Sequence, residues 1–169
     1  MDAIDCMMTR RSVRKYKNDQ VSDGLIGKLL EAAMNAPSAG NQQPWQFIVV
    51  NDANILKTIA ESFPFAGMAK DASVGILVCA DKNFVKYEGF WIQDCAACVQ
   101  NILLAAHSLG LGAVWTGIYP REDRLSGYRK IFDLPESITP FAFIPIGYPA
   151  EEKDRTSRFN DNRIHMNKW

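Results

Sequence analysis

Arg10-Arg11-Ser12-Val13-Arg14 puts three guanidinium groups and a hydroxyl into five residues. A guanidinium is permanently cationic and offers a planar fork of N–H donors that suits phosphate oxygens. If the stretch were helical, Arg10 and Arg14 would share a face four residues apart, where like charges repel unless an anion lies between them. For so short a cluster alone, a solvated basic patch is the default reading, so other residues must strengthen the case for an anion site. Three groups offer that support. Residues 37–45 (PSAGNQQPW) carry several amide donors and acceptors, Trp115-Thr116-Gly117 closes an apolar run, and Arg155 and Arg158 stand in the tail.

Other chemistry has little to stand on. Cys95-Ala96-Ala97-Cys98 has the spelling of a redox dithiol but falls inside a long apolar helical pattern. A reactive pair needs a helix N-terminus to lower its pKa, so buried core thiols are the better reading. Zinc lacks a second such pair, and the only histidines are His107 and His165. Gly110-Leu111-Gly112 follows a helix, whereas a dinucleotide-binding turn must follow a strand. No Walker A, GxSxG or HExxH pattern occurs. No metal site is expected, and hydrolytic catalysis has no nucleophile–base set.

Composition narrows the field. A chain of 169 residues reads as one domain, 1–169, long enough to bury a sizeable core. Nineteen basic residues balance nineteen acidic ones, so no global field attracts nucleic acid or a membrane surface. The N-terminal MDAIDCMMTRR has no apolar core of signal-peptide length, and no apolar run is long enough to span a bilayer. The four cysteines do not form a secreted framework, and a cytoplasmic location is expected.

The elements that must position these groups follow from caps and periodicity. Asp2 caps a helix containing Ile4, Met7 and Met8, and Ser22 caps one carrying Leu25, Ile26, Leu29, Leu30 and Ala33. That second helix stops by Ala36, because Pro37 disfavours helical geometry before it. The 37–45 loop leads into a strand over 46–50, and Asp52 caps a helix over 55–60. Residues 74–80 read as a strand covered on both faces. The longest helical pattern runs from Tyr87 to Leu109, ends at Gly110, and is apolar most of the way round. A strand over 113–119, a helix opened by Pro120 at its first turn, and a strand over 141–146 follow. The 151–169 tail is polar, with spaced anchors at Phe159, Ile164, Met166 and Trp169.

In their order and spacing these pieces resemble the nitroreductase superfamily of FMN-dependent oxidoreductases, in its short form, over nearly the whole chain. The pieces are residues 10–14 (RRSVR), 36–45 (APSAGNQQPW), 94–110 (DCAACVQNILLAAHSLG), the 113–118 strand, and 146–149 (IGYP) with Arg158 downstream. The resemblance implies an α+β three-layer sandwich, its central, mostly antiparallel sheet flanked by helices. It implies an intertwined homodimer with two FMN sites at the interface and the 151–169 tail packed on the dimer. By position, Arg10, Arg11, Ser12 and Arg14 would contact the phosphate, ribityl chain and flavin edge, with Arg158 at the phosphate. Pro37, Ser38, Ala39, Asn41 and Gln43 of the other subunit would line the isoalloxazine. Trp115, Thr116 and Gly117 would run beside the ring. About three arginines can neutralise a phosphate monoester, which carries nearly two negative charges, and a cation at the N1–O2 edge favours hydride uptake by the flavin.

The implied activity is an FMN-dependent oxidoreductase. It would use NAD(P)H to reduce electron-poor acceptors such as nitroaromatics and quinones by ping-pong hydride transfer through flavin N5. The alternative is an FMN-binding carrier or sensor without turnover. No protein group is expected to be catalytic, since the flavin carries the chemistry. Two departures stand out. Thr156 takes the place of a lysine that relatives often carry two residues before the tail arginine. The lidding insertion of larger relatives is also lacking, leaving Phe63, Phe65, Phe84, Tyr87 and Trp91 as candidates for a substrate wall.

Overall fold

The computed structural model describes residues 1–169. Its first three helices, α1 (Ala3–Thr9), α2 (Asp23–Met34) and α3 (Ala53–Ser62), start as the capping residues direct. The side chains of Asp2, Ser22 and Asp52 accept the backbone N–H groups of Asp5, Leu25 and Asn54, which lack a partner within their helices. The long helix α4 (Trp91–Ser108) begins four residues later than its apolar pattern. Gly110 ends it with a φ of +77°, a conformation few other residues adopt cheaply.

Five strands form one antiparallel sheet: β1 (Trp45–Val50), β2 (Val74–Asp81), β3 (Gly112–Ala113), β4 (Thr116–Gly117) and β5 (Ile138–Gly147). The order is β1-β2-β5, with β3 and β4 both along the far edge of β5. In β2 successive side chains go to opposite faces. Val74, Ile76, Val78 and Ala80 meet Leu29 of α2 and Cys98 and Ile102 of α4 in one core. Leu77 and Cys79 meet Ile59 of α3, Tyr128 of α5 (Glu122–Phe132) and Phe143 in the other. Helices on both faces of one sheet make the three layers of an α+β sandwich. They also explain why the β2 sequence is apolar without alternation.

The strand over 113–119 and the start of the α5 helix differ from expectation. The strand over 113–119 is two short pieces, yet Ala113 opposite Ile146 and Thr116 opposite Phe143 keep one register. Continuing that register puts Pro145 opposite Val114, and proline has no N–H to give the ladder. Pro120 stands before the α5 helix, in a cis peptide with Tyr119, and the helix starts at Glu122. Because α1 ends at Thr9, residues 10–14 lie outside the helix and Arg10 and Arg14 do not share a helical face.

No helix is long and apolar enough to cross a membrane. Apolar groups nevertheless remain uncovered in the single chain. Ile4, Met7 and Met8 of α1 are exposed, as are Phe159, Ile164, Met166 and Trp169 of the tail.

Candidate functional site

The arginine stretch is held by backbone pairing along the edge of the sheet. Val13 donates its N–H to the Ala113 carbonyl at 3.0 Å, Lys17 donates to Tyr148 O at 2.8 Å, and Ala150 donates to Lys15 O at 2.9 Å. The Tyr16 hydroxyl reaches the carbonyls of Val13 and Pro145 at 2.8 and 3.1 Å, and its ring lies over Gly147. From the other end, α1 is anchored by buried Cys6, whose thiol reaches Leu104 O, and by the Thr9 hydroxyl 2.8 Å from His107 Nε2. Fastened on both sides, Arg10 caps α1 and projects beside the tail.

Arg10, Arg11 and Arg158 line one cleft of about 230 Å³ with Met7, Met8, Thr156 and Phe159. No carboxylate lines it, and none of the three arginines forms an ion pair. Burial lowers the Arg10 pKa, and the nearby Arg158 and Arg11 charges lower it further. A cluster of mutually repelling cations without a counter-ion is electrostatically incomplete, and an anion completes it. Arg11 also does a second job. It donates to the Asp154 carbonyl and, at 2.8 Å, to the Thr156 hydroxyl, so it fastens the tail that carries Arg158. Thr156, standing in the usual lysine position, is thus an acceptor for Arg11; Arg155 does not line the cleft. Ser12 presents its carbonyl to Lys153 Nζ at 2.7 Å. The Arg14 N–H donates to Glu151 at 2.7 Å, which with Lys153 holds that carboxyl below the usual range.

The 37–43 loop lies elsewhere, between α2 and β1. Positive φ values at Gly40, Asn41 and Gln43 turn it tightly. Ser38 Oγ accepts the Gln43 N–H at 3.1 Å, and the Gln43 amide donates to Asn41 Oδ1 at 3.1 Å; Pro37 is exposed beside them. Behind the loop is a pair that residue type and spacing do not single out. Asp94, 5% exposed, accepts from the Ala39 N–H at 2.9 Å and from Gln42 Nε2 at 2.6 Å. Gln42, 3% exposed, uses its other amide atom to accept the N–H groups of Lys86 and Tyr87 at 2.8 and 3.0 Å. No basic side chain pairs with Asp94; its place in the first turn of α4 lets the helix dipole favour its charge. The available signal was a lone carboxylate inside an otherwise apolar helical pattern.

Trp115, Thr116 and Gly117 sit on the β5 edge. The Thr116 hydroxyl donates to Phe143 O at 2.6 Å, Gly117 O accepts from Arg124 at 2.6 Å, and Trp115 packs 5.7 Å from Phe141. The arginine cleft contains no residue of this strand and none of the 37–43 loop. The three groups are therefore not brought together in the one cleft of a single chain. No cluster of three His, Cys, Asp or Glu side chains is placed to hold a metal ion.

Among the aromatic candidates for a wall, Phe63 is buried and stacked on Tyr128 at 4.5 Å, so it is core. Phe65 lies under the Arg124 guanidinium at 3.7 Å. Trp91 meets Tyr119 edge-on at 4.8 Å and lines a different cavity of about 470 Å³ with Lys82, Glu88 and Arg129. Phe84 and Tyr87 are half exposed.

Comparison with known proteins identifies the family. The profile of the Nitroreductase family matches residues 7–73 and 64–148. A provisionally named NADH dehydrogenase/NAD(P)H nitroreductase of Methanothermobacter thermautotrophicus is 53% identical over the whole chain and 88% of its own length. Among solved structures, an FMN-dependent nitroreductase of Clostridium difficile shares 30% identity at a TM-score of 0.91, covering 98% of this chain and 99% of that one. A provisionally named nitroreductase of Desulfovibrio desulfuricans, solved in complex with FMN, shares 30% identity at 0.86, covering 100% of this chain and 99% of that one. The matched spans include the arginine stretch, the loop and the paired strands just described: the chain belongs to the nitroreductase family.

Proposed function

We propose that the protein is an FMN-dependent NAD(P)H oxidoreductase that acts as a homodimer on electron-poor acceptors. The observation that carries this reading is the counter-ion-free cleft of Arg10, Arg11 and Arg158. A phosphate monoester of nearly two negative charges fits that donor set in both sign and size of charge. Bound FMN would supply hydride exchange at N5, taking two electrons from NAD(P)H and delivering them to a nitroaromatic or quinone in the second half of a ping-pong cycle.

The chain's own residues would bind and orient. Arg10 and Arg158 hold the phosphate, Arg11 keeps the tail in place, and Ser12 and Arg14 continue toward the flavin edge. Pro37, Ser38, Ala39, Asn41 and Gln43 of the partner subunit line the ring, and Trp115, Thr116 and Gly117 run beside it. Supporting the dimer are the exposed apolar side chains of α1 and the tail, which a second copy would cover. Residues 1–169 are read as one domain whose 151–169 tail lies on the partner.

Purification tests the reading. Protein loaded with FMN and desalted retains flavin absorbance; a colourless product overturns it. Steady-state NAD(P)H oxidation with menadione separates an enzyme from a flavin carrier or sensor, which would bind without turning over.

A further inference from the structure

We infer that Tyr87 is a wall of the acceptor pocket, held in place against the flavin-facing loop by the buried Asp94–Gln42 pair. The inference rests on the function proposed above and gives Gln42, Asp94 and Tyr87 roles that it leaves unassigned. Of the five aromatic candidates, Tyr87 is the one fastened to the 37–43 loop, and it is fastened twice. Its N–H donates to Gln42 Oε1 at 3.0 Å. Its ring lies on Gly40, so closely that a Cβ there would fall 2.2 Å from Tyr87 Cε2. Tyr87 nonetheless remains half exposed, as do Phe84 and Phe90 in the same segment. A flat apolar surface fixed to the edge of a flavin-lining loop suits a planar aromatic acceptor, which gains by stacking.

The pair behind it is a relay of hydrogen-bond direction. Asp94 accepts from both Ala39 and Gln42, which turns the Gln42 NH₂ inward. The Gln42 oxygen then faces outward, where Lys86 and Tyr87 offer their N–H groups. Loop and wall thus move as one body, and both are set by one carboxylate at the start of α4. Asp94 and Gln42 are positioning residues in this scheme and touch no substrate.

The hydrogen-bond direction makes the scheme testable by reversal. In Asp94→Asn the single amide oxygen can accept from Ala39 or from Gln42 but not from both: the conflict falls either on the Ala39 N–H or on Gln42, whose flipping would transfer it to Lys86 and Tyr87. In Gln42→Glu two carboxylates face each other, which is unfavourable with both ionised. In the double variant the new amide at position 94 accepts from Ala39 and donates to the new carboxylate at position 42. That carboxylate still accepts from Lys86 and Tyr87. Hydrogen exchange at the Ala39, Lys86 and Tyr87 amides, which between them must show the lost bond, reads the pair without any flavin. We expect exchange about tenfold faster in D94N and a return to the wild-type rate in D94N/Q42E.

In the FMN-loaded enzyme, the ratio of kcat/KM for menadione to that for ferricyanide falls about tenfold in Tyr87→Ala, since ferricyanide cannot stack. The ratio falls likewise in D94N and recovers in the double variant. Unchanged exchange in D94N, or a double variant no better than the singles, overturns the pair. An unchanged ratio in Tyr87→Ala overturns the wall, as does loss of the dimer in that variant, which would make Tyr87 an interface residue. Because Tyr87 is half exposed, its variant folds even if D94N does not. Wild-type protein that retains no flavin overturns the wall and the proposed function together; retained flavin with an unchanged ratio overturns the wall alone.

Discussion

Replacing Arg10 or Arg158 with alanine should weaken FMN binding without weakening the fold, and the two effects should have opposite signs. In the free protein Arg10 contributes an uncompensated charge close to Arg158, and burial makes that charge more costly still. Removing it relieves repulsion, so the melting temperature of the flavin-free protein should hold or rise, by tenths of a kcal/mol for partly solvated charges. With FMN bound, the same side chain would make charge-assisted hydrogen bonds worth roughly 1.5–3 kcal/mol. That corresponds to a loss of about 10- to 150-fold in affinity per arginine. Both arginines share one ligand and would not act independently, so the double variant should lose less than the product of the single losses. The assay is fluorescence titration with FMN and with riboflavin, which has the same ring and no phosphate. Added salt should weaken FMN binding and leave riboflavin nearly unaffected. Equal losses for the two flavins in Arg10→Ala would refute the phosphate assignment. A flavin-free protein destabilised by several degrees would show that Arg10 is structural instead.

Other consequences concern the scaffold. Gly75→Ala would set a Cβ 2.2 Å from Phe143 Cζ at the centre of the sheet, and should cost about 1–3 kcal/mol in urea unfolding, an overpacking cost. Burial pushes the Cys79 and Cys98 thiols up to about 12 and Cys95 higher still. The native protein should therefore resist Ellman's reagent at these three positions at pH 8 and react on unfolding; fast labelling of any one would contradict their core placement. The His107 pKa is lowered from 6.5, by burial first and then by Arg10. A lowered histidine pKa contributes stability that is fully present above about 6.5 and lost as pH falls toward the folded-state value. An NMR titration should therefore place the His107 midpoint below 6.5, and FMN should raise it by offsetting the Arg10 charge. A midpoint at or above 6.5 without flavin would refute the environment described for His107.

Local physics made much of the scaffold legible. Asp2, Ser22 and Asp52 are side chains that satisfy free helix N–H groups, and each caps the helix that its position suggested. The apolar run of β2 pointed to cover on both faces because a half-solvated strand would alternate. What was misread depended on partners distant in sequence. The 113–119 strand is interrupted where it meets Pro145, about thirty residues away along the chain and visible only once the two strands are in register. Phe63 reads as a candidate for a substrate wall until Tyr128 is laid against it.

The site divides along the same line. Arginine matches an anion in charge and geometry, so the 10–14 stretch drew notice by residue type, but alone it reads as a solvated patch, and Arg158 joined it only through the family resemblance. Asp94 and Gln42 drew none, because an isolated carboxylate on a helix reads as a solvated charge. Its meaning lies in which atoms it faces, and those belong to residues 52 and 55 positions away. The arginine cleft and the loop pose the reverse problem: both were legible, yet the fold of one chain leaves them in separate places. The cleft of a single chain would suffice for the proposed phosphate, but a flavin ring would also need walls. If the loop is to supply them it must come from a second copy, brought close by covering the exposed face of α1, where Met7 and Met8 border the arginines. Dimerisation and cofactor binding would then be one event, and replacing the exposed Ile4 of α1, which does not line the cleft, with aspartate should reduce both together.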